Sequence, residues 1–272
     1  MKEYFEGLTD PRQEAKVKHS FIETIMIVIC AVIAGCDVWE DIADYCRVKE
    51  QCLRERIGLK LENGIPSHDT LSRVFGMLDP TEFQAKFIEW AQAACGKHSR
   101  EILSFDGKTM RGSRDGEKKP VHMVSAWASK ARAVFGQLAV DEKSNEITAV
   151  PALLDLLDIK GCIITADAMS CQKEIVAKIA DSDADYTIGL KENQRTLCHA
   201  VQEHFDAVLK EPMLFDPLAS YVAKERGHGR IETRTYYLCT DPDFLKIYRP
   251  MWKNLNGIGM MISKVEKGGE IT

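Results

Sequence analysis

Apolar residues recur at helical spacing through the first hundred positions, then give way to short apolar runs separated by turn residues. Leu71, Val74, Phe75 and Leu78 follow Pro66-Ser67-His68-Asp69 at steps of three and four. That spacing predicts a helix capped by Ser67 or Asp69. Asp79-Pro80-Thr81-Glu82 predicts a second start, with Asp79 as cap, Pro80 at the first helical position and Glu82 closing a capping box. The helix that follows is expected to bury Phe83, Phe87, Trp90 and Ala94 on one face and to stop near Gly96. The apolar run from Ile25 to Ala34 is bracketed by Glu23 and Asp37. It is shorter than the roughly 20 residues a bilayer span needs and lacks the basic start of a signal peptide, so it predicts a buried helix. Short helices around a turn at Gly58 to Pro66 are compatible with a helix-turn-helix, a pattern that helical domains without DNA also show.

After residue 98 the texture changes. Ile102 to Asp106 predicts a strand ending in an acid, and Val121 to Ala128 and Val134 to Val140 predict two more. A helix is expected at Val150 to Leu157, then a strand from Cys162 to Asp167. A helix from Gln172 to Ala180, a strand from Tyr186 to Leu190 and a helix from Thr196 to Leu209 complete the series. The order β-β-β-α-β-α-β-α is that of a ribonuclease-H-like mixed sheet, antiparallel first and parallel afterwards. Beyond Leu209 a Pro-containing stretch leads to Gly227-His228-Gly229 and to strand-like Ile231 to Cys239 and Gly257 to Val265. These read as an inserted β segment, with no element after its last strand. The expected fold is therefore α/β: a helical domain over 1–98 preceding a mixed-sheet domain over 99–272.

Composition narrows the partners. Thirty-six Lys and Arg against 41 Asp and Glu give a net charge of -5, so any DNA contact rests on local basic patches and not on a basic coat. Nine cysteines, an odd number without a Cys-x-x-Cys pair, predict reduced thiols in a cytoplasmic protein with no membrane segment.

The two strand-end acids carry the strongest chemical signal. Asp106 is followed by Gly107-Lys108-Thr109 and Asp167 by Ala168-Met169-Ser170. In the expected topology their strands are neighbours, so the carboxylates face each other. Such a pair suits Mg²⁺ or Mn²⁺ and phosphoryl transfer; two aspartates that cap loops or helices fit equally. Lys108, Arg111, Arg114, Lys118 and Lys119 cluster after the first acid, as a phosphate-backbone contact or as a solvated turn. A second basic loop holds Lys224, Arg226, His228, Arg230 and Arg234, diluted by Glu225 and Glu232. Its glycines allow close approach to a ligand or a plain hairpin turn. Asn193 and Gln194, in Lys191-Glu192-Asn193-Gln194, either touch substrate or cap their loop.

The segment Ser104-Phe105-Asp106-Gly107-Lys108-Thr109-Met110-Arg111-Gly112-Ser113 resembles the first-aspartate motif of H-repeat-associated insertion-sequence transposases, members of the DDE superfamily. The resemblance continues through Val121 to Ala126, Lys143 to Ile147, Asp167 to Lys173 and Gly227 to Arg234. It also takes in Leu8 to Arg12 and Gly64 to Thr70, and so spans nearly the whole chain. Ser170 and Glu192 stand where the family usually has Gly. The resemblance implies a helical transposase-associated domain before a ribonuclease-H-like DDE domain. It implies metal-dependent cleavage and strand transfer at the element's ends into target DNA, by a homo-oligomer on DNA that is nucleoid-associated when bound. It makes Asp106 and Asp167 the first two catalytic and metal-holding carboxylates. Lys108, Arg111, Arg226, His228, Arg230, Arg234, Asn193 and Gln194 become the DNA-contact candidates. The family's third carboxylate, a glutamate in an Arg-x-His-Trp-x-Ile-Glu-Asn-like stretch, has no counterpart in the sequence. The expectation is therefore a chain truncated before it, of weak or no activity, or a DNA-end-binding remnant that inhibits an intact copy. Glu232 is the substitute the motifs offer and Glu203 the one topology offers, though the residues around Glu232 do not match the related Tyr-x-x-Arg-x-x-x-Glu pattern.

Overall fold

A computed structural model describes residues 1–96, 100–110, 113, 120–140, 146–210, 218–227, 229–267 and 270–271. The chain divides into two compact units, Met1–Lys97 and His98–Thr272.

The first unit is helical: α1 (Lys2–Phe5), a 3₁₀ turn (Glu14–Lys16), α2 (Phe21–Ile33), α3 (Trp39–Val48), α4 (Glu50–Ile57), α5 (His68–Gly76) and α6 (Pro80–Cys95). Ser20 caps α2 by accepting the Glu23 N–H, and the residues from Ile25 to Ile29 are buried. The apolar run outlasts its cover, because Val32 and Ile33 in the last turn are 54% and 67% exposed. Of the two caps offered for α5, Ser67 is the one used, accepting the Thr70 N–H. Asp79 caps α6 through the N–H groups of Thr81 and Glu82. The expected capping box does not close: the Glu82 carboxylate accepts from the Thr9 N–H and hydroxyl, so a tertiary partner has taken the local one's place. Phe83, Phe87 and Trp90 pack on the core as expected, but Ile88 and Ala91 are the buried residues of α6 and Ala94 is exposed. The connection from Gly58 to Ser67 is longer than the roughly three- to four-residue turn of a helix-turn-helix, so that reading of α4 and α5 does not hold.

The second unit follows the predicted order: β1 (Ile102–Thr109), β2 (His122–Ala128), β3 (Ala133–Val140), α7 (Glu146–Leu156), β4 (Ile163–Ala166), α8 (Lys173–Asp181), β5 (Asp185–Ile188) and α9 (Arg195–Lys210). The sheet order is β3-β2-β1-β4-β5, antiparallel on the first side and parallel from β1 through β4 to β5. This is the ribonuclease-H-like arrangement. Leu103, Phe105, Val124, Ala126 and Ile164 bury one face, where α7 and α8 bring Leu153, Ile175 and Ile179.

The inserted β segment is larger than the sequence suggests. It comprises β6 (Leu218–Gly227), β7 (Arg230–Cys239), α10 (Pro242–Tyr248), β8 (Ile258–Lys267) and β9 (Glu270–Ile271), with the strands forming a second antiparallel sheet in chain order. β6, α10 and β9 correct the reading of irregular chain before Gly227 and of no element after the last strand. β6 carries polar and exposed residues on both faces, so it shows little of the alternation that marks a half-buried strand. Gly227 pairs with Arg230 and Gly229 has φ 72°, so this stretch is the hairpin-turn alternative. Phe205 of α9, Leu245 of α10, Trp252 and the ends of β7 and β8 form one core. Among the described residues no helix is long and apolar enough to cross a membrane.

Candidate active site

Backbone register brings the two acids together. β1 and β4 are parallel neighbours with Ser104 beside Thr165 and Phe105 beside Ala166. The Thr165 hydroxyl donates to the Ser104 hydroxyl at 2.9 Å, which fixes these two side chains on one face. Side chains alternate along a strand, so Asp106 projects from that same face, and Asp167 follows the last residue of β4, one position past the Phe105–Ala166 pair. Adjacent strands lie about 4.8 Å apart, close enough for two carboxylates to share a small cation. Both acids are exposed. Asp106 does not end its strand, as the sequence suggested, because β1 runs on to Thr109 by pairing with β2, where Ser125 lies opposite the acid. What ends at Phe105 is the parallel pairing.

Asp167 also caps. Its Oδ1 accepts the Met169 N–H at 3.0 Å and starts the 3₁₀ turn Ala168–Ser170. Three residues after β5 hold the backbone that follows it. Gly189 donates its N–H to the Ala166 carbonyl, and a Cβ there would lie 3.1 Å from the Ala168 nitrogen. Asn193 donates from Nδ2 to the Ala168 carbonyl at 2.6 Å, and Gln194 from Nε2 to the Cys171 carbonyl at 2.9 Å. Both amides thus serve as loop ties. Gly189 is the residue that sequence reasoning passed over. A glycine at the end of an apolar strand is a signal of close backbone approach.

Among the DNA-contact candidates, Lys108 lies two residues beyond Asp106 on β1, on the acids' face, and is exposed. Arg111, Arg114, Lys118, Lys119 and His228 lie outside the described residues. Arg226, Arg230 and Arg234 are on the second sheet. Arg234 makes ion pairs with Glu232 at 3.0 Å and Glu225 at 3.5 Å, and Arg230 approaches Glu232 at 3.9 Å. Glu232 also accepts the Ser263 hydroxyl at 3.0 Å. That hydrogen bond, followed by Arg234, holds its carboxyl below the ordinary carboxylate range. Glu203 is exposed on α9, away from the helix face buried through Val201 and Phe205. Among the described residues no third His, Cys, Asp or Glu joins the acids in a group able to hold a metal.

Chemically, the pair offers hard oxygen donors, with one oxygen of Asp167 occupied by the Met169 N–H. That donor set fits Mg²⁺ or Mn²⁺ better than softer metals. Residues 2–91 match the model described as DDE_Tnp_1-associated, and residues 97–246 match the transposase DDE domain. The chain is 40% identical to "H repeat-associated putative transposase YhhI" of Escherichia coli K12, over 97% of this chain and 69% of that protein. It is also 40% identical to "H repeat-associated putative transposase YbfD" of the same organism, over 90% of this chain and 96% of that protein. A solved piggyBac transposase synaptic complex with hairpin DNA overlaps 88% of this chain and 59% of that one, at 13% identity and a TM-score of 0.35, a likeness too slight to weigh. Family matches in both units, with identity along nearly the whole length, lead to a single assignment: the chain belongs to the DDE transposase family, beside its H repeat-associated relatives.

Proposed function

We propose that the chain is an insertion-sequence DNA transposase in which Asp106 and Asp167 hold Mg²⁺ or Mn²⁺ for strand cleavage and strand transfer. Family membership brings a general dependence on divalent metal. The observation that supports this site is the β1–β4 register, which pairs Phe105 with Ala166, the residues immediately before the two acids. When bound, the metal would supply Lewis-acid stabilisation at the scissile phosphate and activate the attacking oxygen. The protein's part is positional. The Met169 N–H orients Asp167, the ties from Gly189, Asn193 and Gln194 fix its backbone, and Lys108 offers a cation to the phosphate backbone on the same face. Joining two element ends to a target calls for more than one copy, so the working form is a homo-oligomer on DNA, in the cytoplasm at the nucleoid.

A second reading, DNA-end binding without cleavage and inhibition of an intact copy, is favoured by the placement of the two candidate glutamates. Glu232 is engaged by Ser263 and Arg234 in the other sheet, and Glu203 is on the exposed side of α9. A plasmid carrying the element's ends, incubated with Mg²⁺ or Mn²⁺, separates the readings. Metal-dependent nicking that is lost in Asp106→Asn and Asp167→Asn, with gel-shift binding in EDTA unchanged, is the expected result. Binding without nicking at any metal concentration, alike in wild type and both variants, would establish the second reading.

A further inference from the structure

The second sheet divides its cations between its two faces. Lys224 of β6 pairs with Thr233 of β7, which pairs with Lys264 of β8. Residues directly opposite on antiparallel strands project to the same side, so a hydroxyl stands between two ammonium groups in one row across three strands. The next row on that face is Arg226, Ile231 and Glu266, and the row on the other side is Val222, Thr235 and Ile262. Lys224, Arg226 and Lys264 are exposed, and among the described residues none of them makes an ion pair. Glu266, partly buried, is the one carboxylate in these rows, against three cations. On the opposite face Arg234 is matched by Glu232 and Glu225 and Arg230 by Glu232, while Lys267 stands in register between Arg230 of β7 and Glu270 of β9.

We infer that the face carrying Lys224, Thr233, Lys264 and Arg226 is a track for the phosphate backbone of duplex DNA. The inference rests on the reading that DNA is the partner, and it moves the backbone contact away from Arg230 and Arg234. Unpaired cations flanking a hydroxyl are the donors that phosphate oxygens accept from, and they add nothing that reads base sequence. In a chain of net charge -5, such a local excess is what backbone binding requires. The face is also firmly mounted. Further along the same strands it carries Tyr237, Cys239, Ile258 and Met260, which pack into the core with α9 and α10.

The test uses the full chain in EDTA with a 30-base-pair duplex of arbitrary sequence, followed by fluorescence anisotropy across salt concentrations. Each backbone phosphate contact contributes about 0.9 to the slope of log affinity against log salt. Lys224→Gln with Lys264→Gln is expected to reduce that slope by about 2, and Arg226→Gln by about 1. Arg230→Gln with Arg234→Gln makes the same change in net charge on the other face and is expected to leave the slope unaltered. Equal losses from the two pairs would reduce the effect to net charge and overturn the inference, as would an unchanged slope in the Lys224/Lys264 variant. Because no metal is present, this result is independent of whether Asp106 and Asp167 support nicking.

Discussion

In the five-stranded sheet, Asp106 and Asp167 owe their neighbouring positions in the chain trace to backbone register, whereas in the four-stranded sheet Lys224 and Lys264 share a face through side-chain alternation on exposed strands. Behind the acids, Leu103 and Ile164 are completely buried, so the strands that deliver the pair are anchored in the core. Around the lysines, exposed Val222 and Tyr221 show how little of β6 depends on packing. Chemistry set by register is shared with the fold's stability. Chemistry set by alternation can be altered one residue at a time.

The largest effect that probes this contrast is on folding. Leu103→Ala in the first sheet is expected to cost about 2–5 kcal/mol, as a fully buried leucine in a packed core does. Val222→Ala in the second sheet, at a residue 58% exposed, should stay within about 0.5 kcal/mol. Urea denaturation of both variants decides the matter, and comparable costs would break the comparison.

Gly189→Ala sharpens it next. The new Cβ would meet the Ala168 nitrogen at 3.1 Å, and backbone has no flexible end to swing away. We expect a loss of about 1–3 kcal/mol, the range for overpacking. Mn²⁺ affinity by calorimetry should weaken too, since the displaced segment carries Asp167. Gly227→Ala, with nothing within 4 Å of its Cβ, is the matched control in the second sheet and should leave both readouts unchanged. Intact Mn²⁺ affinity in Gly189→Ala would detach this glycine from the site.

The sequence made the first sheet legible because each of its strands is a compact apolar run, and the runs alternate with helices of clear amphipathic spacing. Both acids follow such runs. What escaped depends on partners distant in the chain. Gly189 matters because of Ala168, the alternatives for Asn193 and Gln194 are separated only by the carbonyls of Ala168 and Cys171, and Glu82 answers to Thr9. The second basic loop looked like one cluster along the chain. Register divides it between two faces and adds Lys264, which no local pattern joins to Lys224. β6 was missed because neither of its faces is consistently apolar.

A smaller effect separates the two regions by pH at the alkaline end. Burial, with a lesser contribution from Cys198, pushes the Cys171 thiol beside the Asp167 turn up to about 11 from an ordinary 9.0. The unfolded chain therefore ionises this thiol first. The stability linked to Cys171 is complete below pH 9 and declines as pH rises from 9 towards 11. Melting temperatures at pH 8 and pH 10 should fall further in the wild type than in Cys171→Ala, and parallel declines would rule out this thiol as a source.

The smallest effect is at the acid end and in the other sheet. Glu232 is held below its ordinary pKa of 4.5 by the Ser263 hydroxyl and by Arg234, so its contribution is present above pH 4.5 and fades as pH falls through the lowered value. The melting difference between wild type and Glu232→Gln should be slight at pH 7 and vanish in more acidic buffer, as expected of an ion pair at a half-buried surface position. The same variant should leave metal-dependent nicking untouched, since its carboxylate serves the second sheet and not the acid pair. Loss of nicking with the fold preserved would make Glu232 the third carboxylate. The two sheets would then act as one catalytic unit, and the separation of register-set from alternation-set chemistry would fail at the residue where the sheets meet in function.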